Sequence, residues 1–369
     1  MCILACMNVK IIVVVLVIAA ISLVLVLADP PLEPDSDIGL VINPPDRSVS
    51  LEQLEQIYSD AASSGIGRSN VYMFWNIVEP QRGEFDWRHY DALFGAAEQN
   101  GLKTTLFFSL VNGETLGPFP DWMGDPSLGS VDSKTLVNTL DAALSRYDSI
   151  DVVIIAGQTE SQFRRGEHNI PAYTELFSKV YDGIKAEHPD VRMGNSFALH
   201  QVLNKDLGHL VGELSDGDFV AFSYWPVDLL NDIVKTPSEA GEDLKKVFEM
   251  APGNVAFFET GWSTSEFVGG NDTSQKDFVR VLFDFYEQNE PKIEFITWYR
   301  QYDTQEGTCG SEQGNIGDKQ IDLGGSGLGG TEHVIERLDR YICNAGLIKA
   351  DGTAKPGWDE FKRQVGMQN

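Results

Sequence analysis

The chain has 369 residues, of which 42% are hydrophobic and 22% are charged, a composition typical of a globular protein and not of a disordered one. Its 55 acidic and 28 basic side chains give a net charge of −27. An acidic surface repels phosphate backbones and other polyanions, so we expect neither nucleic acid nor a strongly acidic polysaccharide as a partner. The length is compatible with a single α/β barrel.

An unbroken apolar run, residues 11–28, follows Lys10 and ends where the chain turns polar at Asp29. Its length lies between that of a signal-peptide core and that of a transmembrane span, so a cleaved signal and a retained anchor both stay open. Either one exports the rest of the chain, which predicts an extracellular or cell-surface protein. Membrane contact is expected only through residues 11–28, if they are uncleaved. We predict a linker over residues 29–36 and a single domain over residues 37–369.

Apolar runs then alternate with helical patterns, as in a parallel sheet with crossover helices. The eight predicted strands cover residues 38–42, 70–75, 103–110, 151–156, 191–194, 219–224, 255–258 and 293–298. Predicted helices begin near Ser50 and cover residues 87–99, 133–147, 172–187, 237–250, 273–288 and 332–342. Eight such units predict a (β/α)8 TIM barrel, in which catalytic side chains stand at the C-terminal strand ends. A doubly wound sheet is the rival, but Pro44-Pro45 replaces the glycine-rich turn that such a sheet needs after its first strand.

Three further patterns concern partners and cross-links. Residues 325–330 match G-x-G-x-x-G but do not follow the first strand, so we interpret them as a loop and expect no cofactor. Cys309 and Cys343 are the cysteines of the exported part, and an even pair in an oxidising compartment predicts a disulfide. The six histidines are scattered and no C-x-x-C occurs, so we expect no metal site. We expect a monomer.

Polar and aromatic side chains follow the predicted strands at the point where each ends. The second strand is followed by the pattern W…EP…G.FDW, which runs from Trp75 to Trp87, and the fourth by the tetrapeptide GQTE at 157–160. The sixth leads into SYWP at 223–226, the seventh into ETGWS at 259–263, and the eighth ends in TWY at 297–299. A segment GL…DG..KP.W, ending at Trp358, lies near the C-terminus.

These motifs resemble the clan of (β/α)8 retaining glycoside hydrolases, which includes β-galactosidases, endo-β-galactanases and cellulase-like enzymes. W…EP…G.FDW resembles the β-galactosidase branch, whereas SYWP and ETGWS resemble the endo-galactanase branch. The C-terminal segment is similar to a closing segment that recurs in several of these families. The resemblance covers nearly all of the chain from Asp37 onward.

The resemblance implies two catalytic carboxyl groups. The glutamate at the seventh strand tip is the nucleophile in that clan and the glutamate at the fourth is the acid/base, which assigns these roles to Glu259 and Glu160. Such a pair fits glycoside cleavage because one carboxyl group must be ionised while the other is protonated. Retention of configuration requires the two groups to lie about 5–5.5 Å apart.

The fourth strand tip departs from the pattern of the clan, which has Asn-Glu where this chain has Thr159-Glu160 after Gln158. The asparagine of the clan binds the sugar 2-hydroxyl group. Gln158 and Thr159 are therefore the candidates for that contact. A register slip of one residue would put Thr159 in the acid/base position and leave the barrel without a proton donor.

Further side chains at the strand tips are candidates for substrate binding. The resemblance implies a hydrogen bond from Tyr224 to Glu259 that keeps this carboxylate ionised, with a tyrosine that merely packs as the alternative. Indole rings stack on the apolar faces of sugars, so several tryptophans at one barrel mouth favour a carbohydrate site. The complete set of candidates for substrate binding is Trp75, Asn76, Gln158, Thr159, Tyr224, Trp225, Trp262 and Trp298.

The leading hypothesis is an exported retaining glycoside hydrolase that cleaves a β-linked oligo- or polysaccharide by double displacement through Glu259 and Glu160. The alternative is a catalytically inactive, glycan-binding barrel at the cell surface, which the Gln158-Thr159 departure motivates. A transglycosidase that uses the same residues is the third possibility.

Overall fold

Eight parallel strands close into a barrel. The computed structural model describes residues 35–46, 48–306, 309, 313–316, 319–322 and 332–368. The strands are hydrogen-bonded in the order β2-β1-β9-β8-β7-β6-β5-β3, and pairing of β2 with β3 closes the ring. The barrel strands are β1 Asp35–Leu40, β2 Ile66–Met73, β3 Lys103–Asn112, β5 Ile150–Gly157, β6 Arg192–Ala198, β7 Phe219–Tyr224, β8 Val255–Thr260 and β9 Ile293–Trp298. The predicted TIM barrel is thus confirmed for the described residues.

Two short elements were not predicted. Strand β4, Thr115–Leu116, folds back antiparallel on the end of β3. Strands β10, Gln313–Ile316, and β11, Lys319–Asp322, form an antiparallel hairpin between β9 and the helix after it. Each run is four residues or fewer, too short to show an apolar pattern.

Each predicted helix is present with similar bounds, although the one at 237–250 is divided in two, and further helices were not predicted. The helices are α1 Leu51–Ala62, α2 Trp75–Val78, α3 Arg88–Gln99, α4 Ser133–Leu144, α5 Thr159–Phe163, α6 Ile170–Glu187, α7 Leu199–Lys205, α8 Gly208–Glu213, α9 Pro237–Lys245, α10 Val247–Met250, α11 Asp272–Asn289, α12 Glu332–Cys343 and α13 Pro356–Gln368. Five of these helices were missed: α2, α5, α7 and α8 have seven residues or fewer, and α13 lies in the closing segment, for which no helix was predicted.

Local capping residues explain where several helices begin. Ser50 and Gln53 form a reciprocal capping box at the start of α1, and Thr236 and Glu239 form another at the start of α9. Asp132 accepts a hydrogen bond from the Thr135 amide at the start of α4. These side chains satisfy backbone N–H groups that have no partner within the helix.

The barrel encloses its own apolar layer, separate from the larger core between strands and helices. This layer consists of Phe107, Val152, Ile154, Phe219, Ala221, Ala256, Phe258 and Phe295. Towards the N-terminal strand ends, the fully buried guanidinium of Arg68 donates to Asp151 at 2.7 Å and lies 4.4 Å from the Phe295 ring. These side chains fill the lower part of the barrel interior.

Two predictions about the chain termini lie partly or wholly outside the described residues. The apolar run 11–28 and most of the predicted linker lie outside the described residues. Export, anchoring and the domain boundaries therefore stay predictions. The first strand begins at Asp35, two residues before the predicted domain start. No helix in the described part of the chain is long and apolar enough to span a bilayer.

Candidate active site

A cavity of about 410 Å³ lies at the C-terminal ends of the barrel strands. Residues in or directly after all eight barrel strands line it, together with side chains from α1, α3 and α12. Among the residues proposed from sequence, Glu259, Gln158 and Trp225 belong to the lining. The position agrees with the rule that chemistry in this architecture takes place at the C-terminal face.

A β-bulge turns Glu259 into the cavity. Ala256 and Phe258 face the barrel interior, so strict alternation would direct Glu259 outward. The pairing register between β7 and β8 shifts at this point: Phe222 pairs with Phe257, but Ser223 pairs with Glu259. The extra residue on β8 reverses the direction of the next side chain. Glu259 therefore lines the cavity.

Two hydroxyl groups hold the Glu259 carboxylate. Tyr72 on β2 donates a short hydrogen bond to Oε1, and the Ser223 hydroxyl lies 3.4 Å from Oε2. Burial raises the pKa of Glu259 above its ordinary value, whereas the two hydrogen bonds and the charge of Arg300 act in the opposite direction. The side chain is half-buried, so it is both oriented by the protein and accessible from the cavity.

Glu160 lies outside the cavity lining. It is the second residue of α5 and is fully buried. Its Oε2 accepts a hydrogen bond from the Ala198 amide at 3.0 Å, and its Oε1 accepts one from the Ser161 hydroxyl at 3.1 Å. The pKa of Glu160 is raised to about 7, because the effect of burial outweighs that of these hydrogen bonds, which act in the opposite direction. The side chain joins α5 to the end of β6, and its acid/base role stays a prediction.

At the tip of the fourth barrel strand, β5, Gly157 and Gln158 line the cavity. Gln158 adopts a left-handed backbone conformation with φ 48° and ψ 45°. A non-glycine residue in that region costs of order 1–3 kcal/mol and is retained only where the surroundings impose it. The neighbouring Thr159 is fully buried and donates from Oγ1 to the Ser196 carbonyl at 2.8 Å.

The predicted hydrogen bond from Tyr224 to Glu259 is not formed. Tyr224 is fully buried outside the barrel interior, and its hydroxyl donates to Asp243 on α9 at 2.8 Å. Tyr224 precedes Trp225 at the end of β7, and strand alternation directs it towards the helices while Ser223 faces the cavity. Tyr72 takes the predicted place beside Glu259 from a different strand.

Three of the four proposed tryptophans belong to the core. Trp75 is fully buried and donates to Glu79 at 2.8 Å, while Trp262 and Trp298 pack against Phe278. None of the three is among the cavity-lining residues that the structure describes. The large indole area is more readily buried between strand and helix than exposed.

Trp225 and Asn76 have different positions. Trp225 lines the cavity, with its ring stacked on His200 and 5.3 Å from Tyr299. Asn76 lies on α2, outside the lining, where its backbone amide donates to the Pro118 carbonyl at 3.3 Å. Trp225 is therefore the one proposed indole of the described residues that can meet a ligand in the cavity.

Several cavity residues were missed from the sequence. Asn70 and Tyr72 lie two positions apart on β2 and both face the cavity, which the strand period could have indicated. Asn70 donates to the Phe258 carbonyl at 2.8 Å and so holds the bulged strand. Tyr299 and Arg300 follow β9, and Arg300 has a left-handed backbone with φ 74° that no local sequence signal announces.

Cys309 and Cys343 meet beside the cavity, with Cα atoms 5.5 Å apart and sulfur atoms in contact. This separation fits a disulfide, which stays a prediction of the sequence. Asp339 lies next to them, and the ligand atoms of all three residues fall within 4.8 Å of one another. A metal at this position would need thiolate ligands. Two cysteines joined in a disulfide have no thiolate to offer.

Comparison with known structures identifies the same architecture in glycoside hydrolases. GH5_18 from Bifidobacterium longum subsp. longum is similar over 90% of this chain and 79% of its own, with a TM-score of 0.64 and 12% identity. A GH5_18 variant from Streptomyces cattleya in complex with Manβ1-4GlcNAc is similar over 91% of this chain and 81% of its own, with a TM-score of 0.63 and 15% identity.

A psychrophilic glycoside hydrolase family 10 endo-β-1,4-xylanase is similar over 88% of this chain and 96% of its own, with a TM-score of 0.57 and 14% identity. No family model and no curated protein sequence matches the chain. The fold predicted from the resemblance is therefore confirmed, while these identities are too low to carry an activity across.

Proposed function

We propose that this protein is an exported glycosidase that cleaves a β-linked sugar with Glu259 as the nucleophile. The placement of Glu259 carries the proposal. A bulge directs this carboxylate into the cavity at the C-terminal barrel end, and two hydroxyl groups orient it there. A carboxylate that served only solubility would not need a half-buried position with two hydrogen bonds from hydroxyl groups.

The chemistry follows from this placement. An Oε atom of Glu259 attacks the anomeric carbon from the face opposite the leaving group, and a covalent glycosyl ester forms. Water then attacks the same carbon and releases Glu259, so two inversions give net retention. Tyr72 and Ser223 stabilise the carboxylate in the free enzyme, and their hydrogen bonds weaken as its charge is lost in the ester.

The substrate class can be tested directly on the full chain. We expect turnover of at least one member of a panel of 2,4-dinitrophenyl β-glycosides, with β-mannosides tried first because a similar fold was crystallised with Manβ1-4GlcNAc. Proton NMR at early times should show the β-anomer as the first sugar product. An α-anomer would exclude double displacement, and no turnover of any member would exclude a glycosidase.

Tyr72 is expected to tune the acidic limb of the pH profile. Tyr72→Phe removes a hydrogen bond to the ionised form of Glu259, so the pKa of Glu259 rises further. As the pH is lowered, the variant should therefore lose activity at a higher pH than the wild type does. The loss of one charge-assisted hydrogen bond should lower kcat/KM about tenfold below that pKa. The measurement is kcat/KM against pH.

Tyr224→Phe is the matched control for this experiment. Its hydroxyl donates to Asp243 and not to Glu259, so the acidic limb should stay where it is in the wild type. Equal shifts in both variants would contradict the assignment of Tyr72.

A glycan-binding barrel without catalysis is the second candidate, because the predicted acid/base Glu160 lies outside the cavity lining. It would bind an oligosaccharide by calorimetry and release no product from any glycoside. The turnover panel separates it from a glycosidase.

A further inference from the structure

An amide, and not a carboxylic acid, occupies the cavity at the strand tip from which a proton donor is expected. Val152 and Ile154 of β5 face the barrel interior, and the left-handed turn at Gln158, directly after this strand, brings its side chain to the cavity. Gln158 lines the cavity together with Glu259, whereas Glu160 does not. Glutamine has the length of glutamate but no proton that it can release at physiological pH.

The surroundings also prevent a shift of the chain that would bring Glu160 to the position of Gln158. A Cβ atom on Gly157 would lie 2.7 Å from Cε2 of Phe107, so no larger side chain fits before Gln158. Thr159 is anchored to the Ser196 carbonyl, and Glu160 to the Ala198 amide. The three contacts fix Gln158 as the cavity residue.

Four other titratable side chains of the described lining, His89, Tyr58, Tyr72 and Arg300, are poor proton donors. The side chain of His89 on α3 is largely exposed, but its partial desolvation beside the cavity lowers its pKa and so favours the neutral form. Burial raises the pKa of Tyr58 and of Tyr72, whose hydroxyl is already engaged with Glu259. Arg300 is a permanent cation.

We propose that this cavity cleaves β-glycosides of acidic phenols and carboxylic acids, whose leaving groups depart as stable anions without a proton from the enzyme. The inference rests on the proposed function and specifies its substrate class. Gln158 donates a hydrogen bond to the departing oxygen and orients it but transfers no proton.

The reaction balances without a general acid. An Oε atom of Glu259 forms a bond to the anomeric carbon while the bond from this carbon to the leaving oxygen breaks. The bonding electron pair leaves with that oxygen as a phenolate or carboxylate. Water then attacks the anomeric carbon, the electron pair of the ester bond returns to Glu259, and the proton of the water passes to bulk solvent.

The second step is slow because no base removes that proton. We therefore expect the glycosyl ester to accumulate and to produce a burst of dinitrophenolate in stopped-flow measurements. Azide needs no deprotonation, so it should raise the steady-state rate at least about tenfold and yield the β-glycosyl azide.

The decisive experiment compares the full-length wild type with Gln158→Glu on dinitrophenyl and phenyl glycosides of one sugar. General acid catalysis contributes about 10²–10⁴-fold to such reactions. The wild type should cleave the phenyl glycoside at least about 10³-fold more slowly than the dinitrophenyl one, with a kcat/KM profile that lacks an alkaline limb. Gln158→Glu should narrow this ratio at least tenfold, introduce an alkaline limb and abolish the azide effect.

Glu160→Gln provides the test of the rival donor. If Glu160 acts as the acid, this variant selectively loses activity on the phenyl glycoside, and the inference is overturned. The ratio of the two kcat/KM values is independent of the folded fraction, so partial unfolding does not obscure the result. We expect the ratio to remain that of the wild type.

The remaining outcomes distinguish the inference from the proposed function. An alkaline limb in the wild type, or similar rates on both glycosides, overturns the inference alone. No cleavage of dinitrophenyl glycosides by the wild type and no glycosyl ester on Glu259 by mass spectrometry overturn the proposed function and the inference with it.

Discussion

Glu259→Gln is expected to lower kcat/KM on the best dinitrophenyl glycoside by at least about 10³-fold, a loss of about 4 kcal/mol of transition-state stabilisation. The substitution keeps the shape of the side chain and its contacts with Tyr72 and Ser223, but the amide cannot attack the anomeric carbon. The fold should survive, because the side chain is only half-buried and the amide has nearly the same size and shape as the carboxylate.

Glu266→Gln is the matched control, since Glu266 is an exposed residue of the loop that follows the same strand. It should retain wild-type kinetics. Glu259→Ala provides a second readout: azide fits the vacated space, attacks the anomeric carbon once and converts a β-glycoside into an α-glycosyl azide. Wild-type turnover by either Glu259 variant would exclude Glu259 as the nucleophile.

Lys355→Met is expected to destabilise the protein by about 3–5 kcal/mol, because it leaves a buried carboxylate without its partner. The Lys355 ammonium is almost fully buried and donates to Asp303 at 2.7 Å and to Thr264 at 2.9 Å. It also donates to the carbonyl groups of Asn344 and Gly346. Methionine fills a similar volume, so the loss measures the charge and the hydrogen bonds and not a cavity.

Lys349→Met is the control for this experiment, as Lys349 is exposed in the same segment of the chain. Surface substitutions of this kind stay within about 0.5 kcal/mol. Urea unfolding followed by tryptophan fluorescence gives both values. A Lys355 variant as stable as the control would show that this cluster of hydrogen bonds does not hold the C-terminal segment to the barrel.

Lys355 also explains part of the family resemblance in physical terms. It belongs to the C-terminal motif DG..KP.W, and its ammonium bridges the loops after β8 and β9 to the segment before α13. Glu79 of the W…EP motif has a comparable structural role, since it accepts hydrogen bonds from Trp75, Gly83 and Thr139. Both motifs therefore preserve the barrel mouth without contributing to the described cavity lining.

The barrel architecture was predictable from the chain alone. Apolar runs of four to eight residues that alternate with amphipathic helices leave few other ways to bury both faces of a parallel sheet. The strands at 219–224 and 293–298 have the predicted bounds, and helix α11 differs by one residue at each end. Glu259 could also be proposed from its place at a strand tip, because the carboxyl ends of all barrel strands meet at one face.

Only the tertiary structure decided which neighbours of these tips face the cavity. The bulge at Phe258 turns Glu259 inward, and it arises from pairing between two strands that no single-strand pattern reveals. The turn at Gln158 brings this amide to the cavity, while Thr159 and Glu160 enter α5. Tyr224 faces the helices instead of Glu259, and Tyr72 of β2, for which no role was predicted, lies beside the carboxylate in its place. In a strand, a shift of one residue reverses the face to which a side chain points, and long-range pairing sets that shift.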